Sequence, residues 1–163
     1  MSLLAWCQWL EHTSWATAVS ESVWLFPVIE GSHILALPLS VGMILMFDLR
    51  LLGLAFGTGL AARMMADVVR WSRFGFAIMF TTGLLLFMSQ ASKAYGNVFF
   101  RTKLLLLVLL GVNAAVYQIV LYPKMAQWDA RGGTPLGARV CGGVSLIGWI
   151  GVIICGRTMA YQF

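Results

Sequence analysis

Residues 31–47, Gly-Ser-His-Ile-Leu-Ala-Leu-Pro-Leu-Ser-Val-Gly-Met-Ile-Leu-Met-Phe, run for 17 positions without an Asp, Glu, Lys or Arg. Runs equally free of charge recur at Phe74–Ser92, Leu104–Pro123 and Val140–Gly156. About 20 apolar residues carry an α-helix across the roughly 30 Å hydrocarbon slab of a bilayer, so four such runs predict four membrane-spanning helices. Composition agrees: 60% of residues are hydrophobic and 10% are charged, against about 25% charged in a soluble domain. A chain of 163 residues has no length left for a second, soluble domain. The expected class is all-α, a polytopic four-transmembrane-helix bundle forming one integral membrane domain over residues 1–163.

The spanning helices are expected near residues 22–47, 72–92, 101–122 and 139–158. The first starts upstream of its charge-free run because Val23, Trp24, Leu25 and Phe26 extend the apolar stretch, which places Glu30 inside the membrane. Before it, Leu3, Trp6, Cys7, Leu10 and Ser14 recur at helical spacing with Gln8, Glu11 and His12 on another side. That pattern predicts an amino-terminal interfacial helix near residues 3–18. The link Asp48–Arg73 reads as a helix extension, a Gly-rich turn and a surface helix, and Gly132-Gly133-Thr134-Pro135 reads as a loop. The first twenty residues contain no Lys or Arg, so they lack the basic region of a cleaved signal peptide and are expected to be retained.

The net charge of +5 comes from basic residues scattered at the ends of apolar runs. No patch forms, which excludes a nucleic-acid partner. Arg50, Arg63, Arg70, Arg73, Lys124, Arg131 and Arg139 fall on one side of the expected membrane, and Lys93, Arg101, Lys103 and Arg157 on the other. The excess predicts a multi-pass protein of the bacterial cytoplasmic membrane with both termini outside. Cys7, Cys141 and Cys155 make neither CxxC nor CxxCH, which argues against zinc and covalently attached haem. Hydrolase triads and Gly-rich nucleotide loops are also missing from the pattern.

Small residues mark helix contacts: Cys141, Ser145, Gly148 and Cys155 on the fourth span, Gly75, Thr82 and Ser89 on the second, and Gly111, Ala115 and Gln118 on the third. Polar residues inside spans carry more information, because each needs a partner that lipid does not supply. His33, Thr82 and Asn113 each lie about ten residues from an outer helix end, at a depth of about 15 Å, and are expected to meet near the midplane. Phe26, Glu30, His33, Leu37 and Ser40 share one helix face, so a carboxylate sits one turn outward of an imidazole. Pro38 frees the carbonyl of Ile34, and a kink there opens space beside His33.

A neutral imidazole in an apolar slot suits the iron of b-type haem, which makes His33 the candidate axial ligand. The competing reading is a structural histidine bonded to Glu30, Thr82 or Asn113. His12, the other histidine, is an interfacial residue or a second ligand if the amino-terminal helix folds over the outer mouth. Lys103 and Arg101 open the third span, where they reach headgroups or haem propionates. Met43 and Met46, with Met79 and Met88 on the second span, allow an alternative in which thioethers and His33 handle copper. Methionine is also an ordinary filler of apolar cores.

The run from His33 to Gly42 followed by Asp48-Leu49-Arg50-Leu51-Leu52-Gly53 resembles the first-helix pattern of an uncharacterised family of small bacterial four-helix membrane proteins. Together with Phe99-Phe100-Arg101-Thr102-Lys103-Leu104 and Asn113, it more distantly resembles the bacterial membrane protoporphyrinogen oxidase family and the copper-resistance D membrane domain. The resemblance to the oxidases implies b-type haem, with functional roles for His33 and Lys103. The chain departs from them at Asn113, about where those relatives carry a second histidine.

The reading reached is a membrane haem b protein in electron transfer or porphyrin redox chemistry. His33 ligates iron, Glu30 orients the imidazole or manages protons, Thr82 and Asn113 lie near it, and Lys103 or Arg101 pairs with propionates. A redox protein or quinone would be the partner, and the small wet surface predicts a homo-oligomer or a subunit of a larger complex. Copper or small-solute transport and a non-catalytic accessory role are the alternatives.

Overall fold

The computed structural model describes residues 2–55 and 61–162, and the described residues are helical with short connections. In chain order they form α1 (Leu3–Glu11), α2 (Ser14–Glu21), α3 (Leu25–Leu52), α4 (Ala61–Ser89), α5 (Ala91–Gly96), α6 (Val98–Ala130) and α7 (Leu136–Ala160). The helices α3, α4, α6 and α7 are long and apolar enough to cross a membrane.

The ends follow from local chemistry. The helix expected from residue 22 starts at Leu25, with Ser22 Oγ accepting from the Leu25 N–H at 3.1 Å. It continues past residue 47 to Leu52, where Gly53 adopts φ 77° and ends it. The expected surface helix of the first link and the second span are one helix, α4, that includes residues 61–73. Part of the Gly-rich turn expected before it, residues 56–60, lies outside the described residues. Asn97 starts α6 early: its Oδ1 accepts from Phe99 N at 2.9 Å and Phe100 N at 3.2 Å. The amino-terminal helix is broken in two because Thr13 caps a new one, its Oγ1 accepting from Ala16 N. Packing of α1 on α5 and of α2 on α4 holds both pieces over one end of the molecule.

Pro38 and Pro123, in the interiors of long helices, are absorbed by local departures from α geometry. At Pro38 the chain makes a π-helical turn, Pro38–Gly42, and the helix resumes. Ser40 Oγ donates to the Ala36 carbonyl at 2.8 Å, and Ser72 Oγ donates to the Ser40 carbonyl at 3.0 Å, so side chains serve the disturbed backbone. At Pro123, which was expected to close the third span at 122, a π turn over Tyr117–Leu121 and a 3-10 turn over Tyr122–Lys124 carry the helix on to Ala130.

Laterally the long helices run in the order α4, α3, α7, α6. Glycines set the seams. A β-carbon on Gly75 would lie 2.7 Å from the Ser40 nitrogen, so α4 crosses α3 backbone to backbone at the π turn. Gly142 admits Leu51 of α3, and Gly148 and Gly151 admit Leu110 and Leu106 of α6. At the end remote from the termini, Arg50 Nη2 binds Asp129 Oδ1 at 2.7 Å, each side chain 5% exposed. Asp129 Oδ2 also accepts from Ala61 N at 3.0 Å, so this latch joins α3, α4 and α6.

Helices α4 and α6 stand at opposite ends of that order and share no extended packing among the described residues. They meet at their extremities, through the stacked rings of Phe87 and Phe100 near the termini. At the other end Met65, Met125 and Trp128 belong to one core cluster. Between these contacts a cleft opens sideways, floored by α3 and α7.

Candidate functional site

His33 stands on α3 five residues before the π segment and is half-buried against α4. Its Nδ1 lies 2.9 Å from Thr82 Oγ1. The Thr82 hydroxyl hydrogen is already committed to the Ile78 carbonyl at 2.7 Å. The oxygen therefore accepts, and His33 Nδ1 carries the proton, with the Met79 carbonyl as the ring's backbone neighbour. By tautomer exclusion, Nε2 is left with a lone pair. A β-carbon on Gly83 would stand 3.1 Å from His33 Cε1, so this glycine makes room for the ring.

Lys103 comes to the same region from α6. Its Nζ would lie 3.6 Å from a β-carbon on Gly156, so the absence of a side chain there gives the lysine its place against α7. Its charge acts on the His33 imidazole. The lysine is half-buried and lies along the bundle, where sequence reading also allowed it to reach outward to headgroups.

The other expected members are distributed differently. Glu30 makes no hydrogen bond to His33 among the described residues, and the orienting role expected of it falls to Thr82. Asn113 does not join His33: its Nδ2 donates to the Cys141 carbonyl at 3.0 Å and ties α6 to α7. Arg101 folds back on α5, its Nε donating to the Tyr95 carbonyl at 2.9 Å and its guanidinium 4.9 Å from the Tyr95 ring. His12 is exposed at the carboxyl end of α1, whose Glu11 binds the Ser92 N–H and hydroxyl at 2.9 and 2.7 Å. Met46 is 46% exposed and Met43 packs on the opposite core cluster, so neither joins His33. Cys7, Cys141 and Cys155 are free thiols. Among the described residues no three His, Cys, Asp or Glu side chains are grouped to hold a metal ion.

Sequence reading passed over Asp48, which it took as the start of a link. The residue is 4% exposed inside the bundle, with Oδ2 lacking a hydrogen-bond partner among the described residues. The signal was available: Leu37, Val41, Ile44, Asp48 and Leu51 follow i, i+3, i+4 spacing on the buried face of α3. Arg50, counted with the basic residues on one side of the membrane, instead forms a buried latch with Asp129, which sequence reading passed over.

Comparison with protein-family models, with curated proteins and with solved structures finds no match to this chain. What the site does is therefore argued from its own chemistry.

Proposed function

We propose that this protein is an integral membrane b-type haem protein, with His33 as axial ligand through Nε2, acting in electron transfer or porphyrin redox chemistry. The observation that carries the reading is the hydrogen bond between His33 Nδ1 and Thr82 Oγ1. Histidines that bind metals are held in this way, the second nitrogen donating to a fixed acceptor so that the ligating nitrogen keeps its lone pair and direction. The donor set fits one axial position. His33 supplies a prepared nitrogen, Gly83 keeps the ring edge uncrowded, and Lys103 supplies a positive charge suited to a propionate.

Haem, when bound, would supply one-electron chemistry at iron. The chain's own residues would hold and orient it: Thr82 would fix the His33 tautomer, and Lys103 would offset carboxylate charge. Apolar flanks support the membrane setting. Leu35, Phe80, Ile119 and Ile147 are each more than 70% exposed on the long helices, which suits contact with lipid and not with water. The excess of basic residues at the end remote from the termini supports a cytoplasmic setting for that end. A redox protein or quinone is the proposed electron partner, and the exposed helix flanks leave area for a second copy or another subunit.

The test is haem content per chain after production with haem in excess. Wild type is expected to retain haem, His33→Ala to lose it, and Lys103→Ala to hold it more weakly. Equal haem in wild type and His33→Ala would remove His33 from the role.

A further inference from the structure

The half of the cleft remote from the termini holds a cavity of 740 Å³ bounded by α3, α4, α6 and α7, and His33 is not among its lining residues. That volume lies within the range of small-molecule sites, about 300–1,000 Å³. Phe76, Leu107, Leu110 and Trp149 supply an apolar wall.

The exposed Gln118 and Tyr122 of the lining can donate, whereas its more buried groups present mainly acceptors. Ser72 commits its hydroxyl hydrogen to the Ser40 carbonyl at 3.0 Å. Tyr117 directs its hydroxyl to Met125 Sδ at 3.4 Å. Asn113 commits one N–H to the Cys141 carbonyl, which leaves Oδ1 as an acceptor and one N–H as a donor. To these lone pairs Asp48 adds the bare Oδ2 of a side chain more than nine-tenths buried, with Ser145 as the neighbour of its carboxyl group. Arg73, the cationic side chain of the lining, is exposed at the rim.

A buried carboxyl with an oxygen unpartnered among the described residues calls for a ligand that donates. A quinone or an ester lipid brings mainly further acceptors, whereas an ammonium group brings N–H donors and the charge that a buried carboxylate needs. The route in is lateral, because α4 and α6 share no extended packing along this stretch. We propose that this cavity binds a lipophilic amine in its protonated form, the ammonium on Asp48 and the apolar body against Phe76, Leu110 and Trp149. The site uses none of the residues assigned to haem and stands apart from that reading.

The experiment titrates the full-length protein in detergent micelles with 1-naphthylmethylamine by calorimetry, subtracting protein-free micelles. Saturable binding is expected, with 1-naphthylmethanol, which lacks the charge, at least about tenfold weaker. Asp48→Asn keeps the shape and is expected to lose at least about thirtyfold in affinity. Ala114→Trp fills the cavity without replacing the carboxyl and is expected to abolish binding, so it carries the test if Asp48→Asn does not fold. Equal affinity for amine and alcohol, unchanged binding by either variant, or no saturable binding by wild type would each overturn the proposal. Haem is read separately by its absorbance, so loss of amine binding with the chromophore retained defeats this inference alone.

Discussion

Asp48 and Asp129 lie in the same half of the bundle at the same burial, 4% exposed each, and their surroundings differ in kind. Asp129 receives Arg50 at 2.7 Å and the Ala61 N–H at 3.0 Å, and so draws three helices together. Asp48 keeps an oxygen without a hydrogen-bond partner among the described residues, beside a cavity. Burial alone does not tell a structural charge from one held for a ligand; the local hydrogen-bond inventory does. The glycines repeat the contrast. Gly75 sits in a closed seam with Ser40 backbone against it, while Gly111 lines the open cleft with nothing within 4 Å of a β-carbon.

The largest expected effect breaks the latch. Arg50→Ala leaves a buried carboxylate uncompensated and is expected to cost about 3–5 kcal/mol in equilibrium unfolding in detergent. Asp48→Asn, which removes a charge without a cationic partner among the described residues, is expected to be neutral or stabilising by up to about 1 kcal/mol. Similar losses for both would erase the distinction between the two aspartates. Next comes the closed seam, where Gly75→Ala drives a methyl into the α3 backbone and should cost about 1–3 kcal/mol. Gly111→Ala meets open space and should be neutral or slightly stabilising. A thermal melt of the pair measures whether cleft and seam differ as described. The smallest effect is on His33. Thr82→Val removes the acceptor for Nδ1, and haem retention is expected to weaken about tenfold by dilution or competition with a haem scavenger, with little change in melting.

Much of the architecture was legible because lipid-spanning length and charge-free runs are coarse signals that survive errors in detail. The four long helices, the small residues Gly75 and Gly148 at seams and the disturbance at Pro38 follow from such signals, whereas Gly111, Ala115 and Gln118 of the third span, expected at a helix contact, are exposed. Helix ends were harder. Pro123 reads as a terminator, yet a π turn absorbs it, and whether a helix can widen depends on neighbours that periodicity does not reveal. Of the site, the His33–Thr82 pair was foreseen from equal depth, and Asn113 was misplaced because depth does not fix which way a helix face turns. Its partner on α7 is a backbone carbonyl, which no residue pattern announces. Asp48 and Arg50 were taken for charges beyond the membrane because a charge normally ends an apolar run, and nothing in the pattern singled out Asp129. Three helices continue past that point and cover them.

The most direct test of the central claim is the oxidised and dithionite-reduced visible spectrum of the purified protein, made with haem in excess, with copper assayed on the same sample. The account predicts a Soret band and reduced α and β bands that disappear in His33→Ala. A colourless wild-type protein would contradict it, turning the reading to transport if copper copurifies and to a structural subunit if it does not.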